Sequence, residues 1–409
     1  MTDKLIKRPV YINKLLSFKD ADVIKIVTGI RRCGKSTLFD LYIEELKKLG
    51  VKDNQIQLIK LEEIENENLL DYKKLHKHIM DNIVDGKNYV FLDEIQLVPD
   101  FQKAVRSLFE KGNIDLYLTG SNSKLQSGQW ATSIAGRYVE IEMFPLSFSE
   151  FLSTYDNKDV NLDKVYADYL DYSSFPYTLH FLKQNLRDFK TQINSYLEGI
   201  YNTIILKDIM ENKNFSSSDR LKRVVKFMAS CIGSEISIKK ISDTITSDGL
   251  KMLPTTVEGY IDALMDSYII YKADRYDIKG KKILKTLNKY YIVDMGIRKF
   301  LLGNKGEDQG HILENIVYLE LLRRGYKVYI GKTKYNNKDL EVDFIAETPD
   351  GIEYYQVSDT VKDKTTLERE LTPFKSINDN YPKFILTRDY GNIDYNGVKQ
   401  INVLEWLLK

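Results

Sequence analysis

The sequence predicts an α/β chain in which a doubly wound parallel sheet is followed by a helical stretch and then a smaller α/β segment. Three observations lead there. From about residue 22 to 150, apolar runs alternate with amphipathic helices; from about 150 to 303 the pattern is mainly helical; from about 308 it runs helix, strand, hairpin, helix, strand. At 409 residues the chain is long enough for several domains with cores of their own.

In the first region VIKIVTG (23–29), IQLIKLE (56–62), YVFLDE (89–94), IDLYLTGS (114–121) and YVEIEMF (138–144) read as strands. Several are nearly continuous apolar runs, as expected of parallel strands covered on both faces. STLFDLYIEELKKLG and FQKAVRSLFEKG are the helices between them, which gives a first domain over 1–150. A helical connector rich in Tyr, Leu and Lys follows over 151–217, interrupted by SSFP at 173–176. Residues 218–303 change rhythm. Three helices (DRLKRVVKFMASCIG, SIKKISDTI and PTTVEGYIDALMDS) precede two strand-like pieces, YIIYKADRY and KYYIVD, joined by a basic turn. That is a winged-helix pattern. The remainder, 304–409, is a small α/β domain.

Composition narrows the function. Sixty basic and 59 acidic side chains leave a formal charge of +1, so no global field draws the chain to nucleic acid. The two cysteines, Cys33 and Cys231, lie far apart and form no metal-ligand spacing, which fits thiols in a reducing compartment. MTDKLIKRPVYINKLL lacks the apolar core of a secretion signal, and no apolar run approaches membrane-spanning length. The expectation is a cytoplasmic protein.

Gly29-Ile30-Arg31-Arg32-Cys33-Gly34-Lys35-Ser36 matches GxxxxGK[ST], directly after an apolar strand and before a helix. Glycines let such a loop fold its N–H groups around phosphate oxygens, and the helix N-terminus adds favourable potential. Lys35 reaches β- and γ-phosphates in this arrangement, and the Ser36 hydroxyl takes a Mg²⁺ position. Arg31, Arg32, Cys33 and Thr37 complete the candidate nucleotide-binding stretch. YVFLDE places Asp93 and Glu94 at the end of a buried strand, where open α/β sheets bind ligands. Asp93 is the candidate metal holder and Glu94 the candidate base for the attacking water. Ser121 or Asn122, after the fourth strand, is placed to orient that water, with Asn122 preferred. Arg137, before the fifth strand, is a candidate for stabilising transferred charge.

TGIRRCGKST, FLDEIQ, LTGSNS and AGRYVEIEMFPLSFSEF, followed by SSFPYTL, resemble the bacterial and archaeal AAA-type ATPases that carry a C-terminal DUF4143 domain. The resemblance covers nearly the whole chain. It implies ATP binding and Mg²⁺-dependent hydrolysis through Lys35, Ser36, Asp93 and Glu94, with Arg137 as a candidate finger acting in cis or, in a homo-oligomer, in trans. Many such relatives carry a glycine pair before the FP; Ser173 and Ser174 stand there in this chain.

The winged-helix pattern invites a DNA-binding reading, but the third helix presents Glu258, Asp262 and Asp266 and no Lys or Arg. Acids spaced four apart share a helix face and repel phosphates. Lys279-Gly280-Lys281-Lys282 is the basic cluster nearby. A protein-contacting role therefore ranks above sequence-specific DNA binding.

ILENIVYLELLRRGYKVYIGKTK…LEVDFIAETPDGIEYYQVSDT resembles the PD-(D/E)xK nuclease-like fold, also described as restriction-endonuclease-like. Glu314 fits the helix carboxylate of such a site and Asp343 the hairpin carboxylate. Strand alternation puts Gln356 and Ser358 together on one face. A nuclease needs a carboxylate and a lysine at those two positions; Gln356 offers a neutral carbonyl to Mg²⁺ and Ser358 no cation. Lys362 or Lys364 is the remaining source of one. The expected result is an ATP-hydrolysing switch whose C-terminal domain binds a nucleic-acid or protein partner without cutting it. The alternative is an ATP-regulated DNA-processing enzyme, or a DNA-binding defence or regulatory protein, with an active nuclease.

Overall fold

The five apolar runs of the first region fold as β1 (Ile24–Thr28), β2 (Ile56–Lys60), β3 (Asn88–Asp93), β4 (Ile114–Thr119) and β5 (Tyr138–Glu142). The computed structural model describes residues 5–120, 136–155, 160–184, 187–211, 215, 217–303 and 308–409. The strands lie in the order β2-β3-β4-β1-β5, and every neighbouring pair is parallel. β1, β3 and β4 are buried at every position, which is why their sequences show no polar alternation. Lys25 and Asp115 are the charged pair inside this layer, on adjacent strands, and they neutralise each other in an ion pair. The helix Lys35–Lys48 is docked by aromatic contacts: Phe39 lies 5.1 Å from Phe91, Tyr42 lies 5.2 Å from Tyr117, and Phe91 and Tyr117 stack at 4.6 Å. Its first turn is thereby fixed at the edge of the sheet where the strands end.

The chain divides into two compact units, Met1–Pro145 and Leu146–Lys409. The second opens with helices Phe148–Leu152, Leu162–Tyr172, Thr178–Gln184 and Phe189–Thr203. The three helices expected next are Ser218–Ser230, Ile238–Ser247 and Pro254–Asp266, followed by β6 (Ile270–Asp277) and β7 (Lys282–Ile292). After helices Met295–Leu302 and Gln309–Arg323 come β8 (Lys327–Tyr335), β9 (Lys338–Thr348), β10 (Gly351–Ser358), β11 (Lys383–Thr387), β12 (Asp394–Tyr395) and β13 (Val398–Asn402).

β6 and β7 pair as the expected hairpin, but they do not stand alone as a wing. β6 also pairs in parallel with β8, and one sheet runs β12-β13-β11-β10-β9-β8-β6-β7. The boundary expected at 303/304 therefore falls within an element set that shares one sheet. The physical reason is the free edge of β6, whose N–H and C=O groups need partners that β8 supplies. A hairpin reads the same in sequence whether or not a later strand joins it.

The SSFP interruption is a fastening point. Ser173 adopts φ 75° and ψ 151°, a backbone region that favours glycine. Ser174 donates from its N–H and its hydroxyl to Asp294 Oδ2, at 2.7 and 2.6 Å, while Asp294 Oδ1 accepts from Ile297 N and caps the helix Met295–Leu302. The Ser174 carbonyl accepts from Leu146 N at 2.8 Å. Gly296 packs so closely that an added Cβ would lie 2.3 Å from Ser173 Cβ. Ser173→Gly relieves backbone strain of about 1–3 kcal/mol, loses about 0.5–1 kcal/mol to the freer unfolded chain and loses about 1 kcal/mol with the hydrogen bond from Phe175 N to Ser173 Oγ. Denaturant titration is expected to show stability within about 1 kcal/mol of the wild type; a loss of about 2 kcal/mol or more contradicts the strained geometry.

Candidate functional site

The loop between β1 and the helix Lys35–Lys48 has the geometry its glycines predict. Gly29 has φ 131°, and an added Cβ would lie 2.1 Å from the Met143 carbonyl oxygen, so the backbone passes under the end of β5 only because nothing projects there. Gly34 has φ 104° and forms the N-cap of the helix, which carries no acidic residue in its first turn. Lys35 is buried and donates from Nζ to the carbonyls of Gly29 (2.9 Å) and Ile30 (3.2 Å), spanning the loop. Cys33 is fully buried, burial pushes its thiol up, and its N–H donates to the Ile30 carbonyl at 3.3 Å. Arg32 is exposed with φ 65°; Arg31 lies 3.8 Å from Glu62; Thr37 is half-buried in the first helical turn.

Asp93 is the last residue of β3, and the hydroxyls of Thr119 and Ser36 lie beside its carboxylate. β4 lies between β3 and β1, which puts its final residue, Thr119, between the acidic pair and the loop. Thr119 Oγ1 donates to Asp93 Oδ1 at 2.5 Å and accepts from Glu94 N at 2.8 Å. Glu94 is held at φ 56°, and its carboxylate accepts from Gln96. Burial raises Asp93 above the ordinary carboxylate range; the Thr119 and Ser36 hydrogen bonds oppose this, and the Glu94 charge adds to it. The structure thus brings Gly29, Gly34, Lys35, Ser36, Asp93 and Glu94 to one edge of the sheet.

Thr119 stands at the end of the apolar run in LTGSNS, just before the residues expected there. Ser121 and Asn122 lie outside the described residues. Arg137 is described, and it lies at the other edge of the sheet. Its carbonyl accepts from Ile24 N, at the start of β1, and its guanidinium is 3.7 Å from Glu110. The length of β1 separates it from the phosphate loop by roughly 16 Å. In a parallel sheet a residue that precedes its strand lies at the edge opposite to residues that follow theirs. Arg137 has no part in its own chain's site.

The C-terminal cluster has a resident cation that sequence reasoning missed. Lys289, on β7, places Nζ 2.8 Å from Glu314 Oε1 and 2.8 Å from Glu341 Oε1. Tyr291, on the same face two residues on, donates to Glu314 Oε1 at 2.6 Å. KYYIVD carries the signal, since its alternation turns Lys289 and Tyr291 the same way. Asp343 Oδ2 accepts from Val357 N at 2.8 Å. Gln356 accepts from Asp343 N at 2.7 Å and donates to Glu370 at 2.9 Å; Ser358 donates to the Thr360 carbonyl at 3.1 Å. Burial and the neighbouring Glu314 charge push Asp343 well up, whereas Lys289 and Lys332, acting against burial, hold Glu341 down at about 2. Lys362 pairs with Asp389 at 3.6 Å instead of reaching this cluster, and Lys364 is exposed at the start of the next helix. Among the described residues no group of three or more His, Cys, Asp or Glu side chains is arranged to hold a metal ion, and no helix is long and apolar enough to cross a membrane.

Comparison with known proteins agrees with the first unit. Residues 21–152 match the family model described as an AAA domain, AAA_14, and residues 164–308 match a domain of unknown function, DUF8612. The middle match is thus to DUF8612, and the DUF4143 likeness stays a resemblance of sequence. An uncharacterized protein of Haemophilus influenzae is 37% identical over the whole of both chains. The uncharacterized protein MJ1544 of Methanocaldococcus jannaschii is 30% identical, covering 95% of this chain and 86% of its own. Among solved structures, the Walker-type ATPase PABY2304 of Pyrococcus abyssi superposes with a TM-score of 0.51 at 18% identity, covering 73% of this chain and 97% of that one. That likeness establishes a P-loop ATPase fold.

The ionisation of Asp93 yields a test. An acid whose folded pKa is raised costs the folded state stability as pH rises past its unfolded value, in full above its folded value. Asp93→Asn is expected to raise the melting temperature of the ligand-free protein at pH 7, with the difference closing as pH falls toward 4. An unchanged or lowered midpoint at pH 7 contradicts the assigned burial.

Proposed function

The chain belongs to the same family as the Haemophilus influenzae protein and MJ1544, and we propose that it is a Mg²⁺-dependent ATPase whose first unit binds and hydrolyses nucleotide to drive a switch. The observation that carries this reading is the meeting of Lys35, which spans the loop to the Gly29 and Ile30 carbonyls, with the Asp93 carboxylate, held by Thr119 and beside the Ser36 hydroxyl, at one edge of the sheet. One hydroxyl and one carboxylate are hard oxygen donors suited to Mg²⁺ that arrives with phosphate ligands of its own. When bound, the metal supplies charge neutralisation at the β- and γ-phosphates.

The protein's share follows from the residues. The loop N–H groups and the helix N-terminus bind the polyphosphate, and Lys35 exchanges its contacts with Gly29 and Ile30 for phosphate oxygens. Glu94 accepts a proton from the attacking water, and Thr119 holds the Glu94 backbone and the Asp93 carboxylate in fixed relation. The Thr119 contacts fix both acids before substrate arrives, which lowers the reorganisation needed for transfer.

For the second unit we propose a binding role without cleavage. Lys289 neutralises Glu314, one of the two carboxylates a nuclease would offer to a metal, Asp343 accepts from Val357 N, and Gln356 is committed to Asp343 and Glu370. The nature of the partner, protein or nucleic acid, is read from whether its addition changes ATP turnover.

Glu94→Gln is expected to retain ATP binding within about threefold while hydrolysis falls by about 100-fold or more. Loss of binding, or unchanged turnover, contradicts the assignment. Plasmid DNA incubated with the chain and Mg²⁺ or Mn²⁺ is expected to remain intact; cutting abolished by Asp343→Ala contradicts the binding role.

A further inference from the structure

We propose that Arg8 is a positioning residue of the phosphate loop, aiming the Gly34 N–H inward by holding the Cys33 carbonyl from behind. The inference rests on the ATPase reading and deepens it. Arg8 stands immediately before the helix Pro9–Ser17 and is 3% exposed. Its Nη1 donates to the Cys33 carbonyl at 2.9 Å and its Nη2 donates to the Phe144 carbonyl at 2.7 Å. One planar guanidinium thus joins the loop to the segment leaving β5. The group lies 4.8 Å from the centre of the Tyr11 ring, and the Tyr11 hydroxyl accepts from Phe144 N at 3.0 Å. Both backbone groups of Phe144 are gripped by this one helical start.

The consequence for the loop follows from peptide geometry. The peptide bond between Cys33 and Gly34 is trans, so the C=O of Cys33 and the N–H of Gly34 point in opposite directions from one plane. Committing the carbonyl to Arg8 therefore turns the Gly34 N–H to the opposite side. Gly34, at φ 104°, has little steric restraint of its own, so an external hold is needed to fix that plane. In a loop whose phosphate capture depends on converging N–H groups, the direction of this one enters the affinity directly. The guanidinium also keeps a fixed positive charge behind the loop, which favours an incoming polyanion. A purely structural arginine would share the clamp on Phe144 but would leave affinity untouched, and this separates the two roles.

The test uses the full-length chain, a fluorescently labelled ATP analogue with Mg²⁺, and three variants: Arg8→Ala, Arg8→Lys and Tyr11→Phe. Deleting a charge-assisted hydrogen bond to the loop is expected to weaken analogue binding about 10- to 100-fold in Arg8→Ala. Arg8→Lys keeps the charge and one donor contact and is expected to fall between Arg8→Ala and the wild type. Tyr11→Phe removes the hold on Phe144 N and leaves the Cys33 contact; it is expected to lower the melting temperature while affinity stays within about twofold. If Arg8→Ala does not fold, Arg8→Lys carries the comparison. Wild-type affinity in folded Arg8 variants overturns the proposal and leaves the ATPase reading standing, as does affinity that tracks melting temperature across all three. A folded wild-type chain that binds no analogue overturns both.

Discussion

All five strands of the first sheet run in one direction, and that constraint decides which residues can meet a nucleotide. Parallel strands gather their C-terminal ends at one edge, so the loop after β1, the acids after β3 and Thr119 at the end of β4 converge without any long-range design. The same constraint sends Arg137 away, because it precedes its strand where the others follow theirs. Insertion of β4 between β1 and β3 has a further effect. It sets Thr119 beside the end of β3, where one hydroxyl holds both the Asp93 carboxylate and the Glu94 N–H.

The second unit has a different organising contact. Lys289 from β7, Glu314 from the helix Gln309–Arg323 and Glu341 from β9 form a buried charge network that ties the hairpin to the rest of its sheet. A buried pair of this kind is costly to break, since removing one partner strands the other. The network therefore supplies cohesion where a nuclease would need open carboxylates. What looked like a missing cation in YYQVS is present in space, delivered by another strand and spent on ion pairs.

Much of the nucleotide site was legible because its chemistry is local in sequence. Gly29, Gly34, Lys35 and Ser36 lie within eight residues, and Asp93 and Glu94 announce themselves at the end of an apolar run. The unreadable parts are the ones set by register and distant contact. Lys289 required knowing that β6 joins β8, a pairing between strands more than fifty residues apart. Arg8 reaches partners 25 and 136 positions away, Cys33 and Phe144, and no periodicity encodes that. The serine pair at 173–174 takes its role from Asp294, 120 residues on.

The most direct measurement of the central claim is phosphate release by the intact wild-type chain given ATP and Mg²⁺, beside the same reaction in EDTA and a Lys35→Ala variant. Release that requires Mg²⁺ and falls about 100-fold or more in Lys35→Ala is the predicted result. A folded wild-type chain that releases no phosphate, or release equal in the presence of EDTA or the variant, contradicts it.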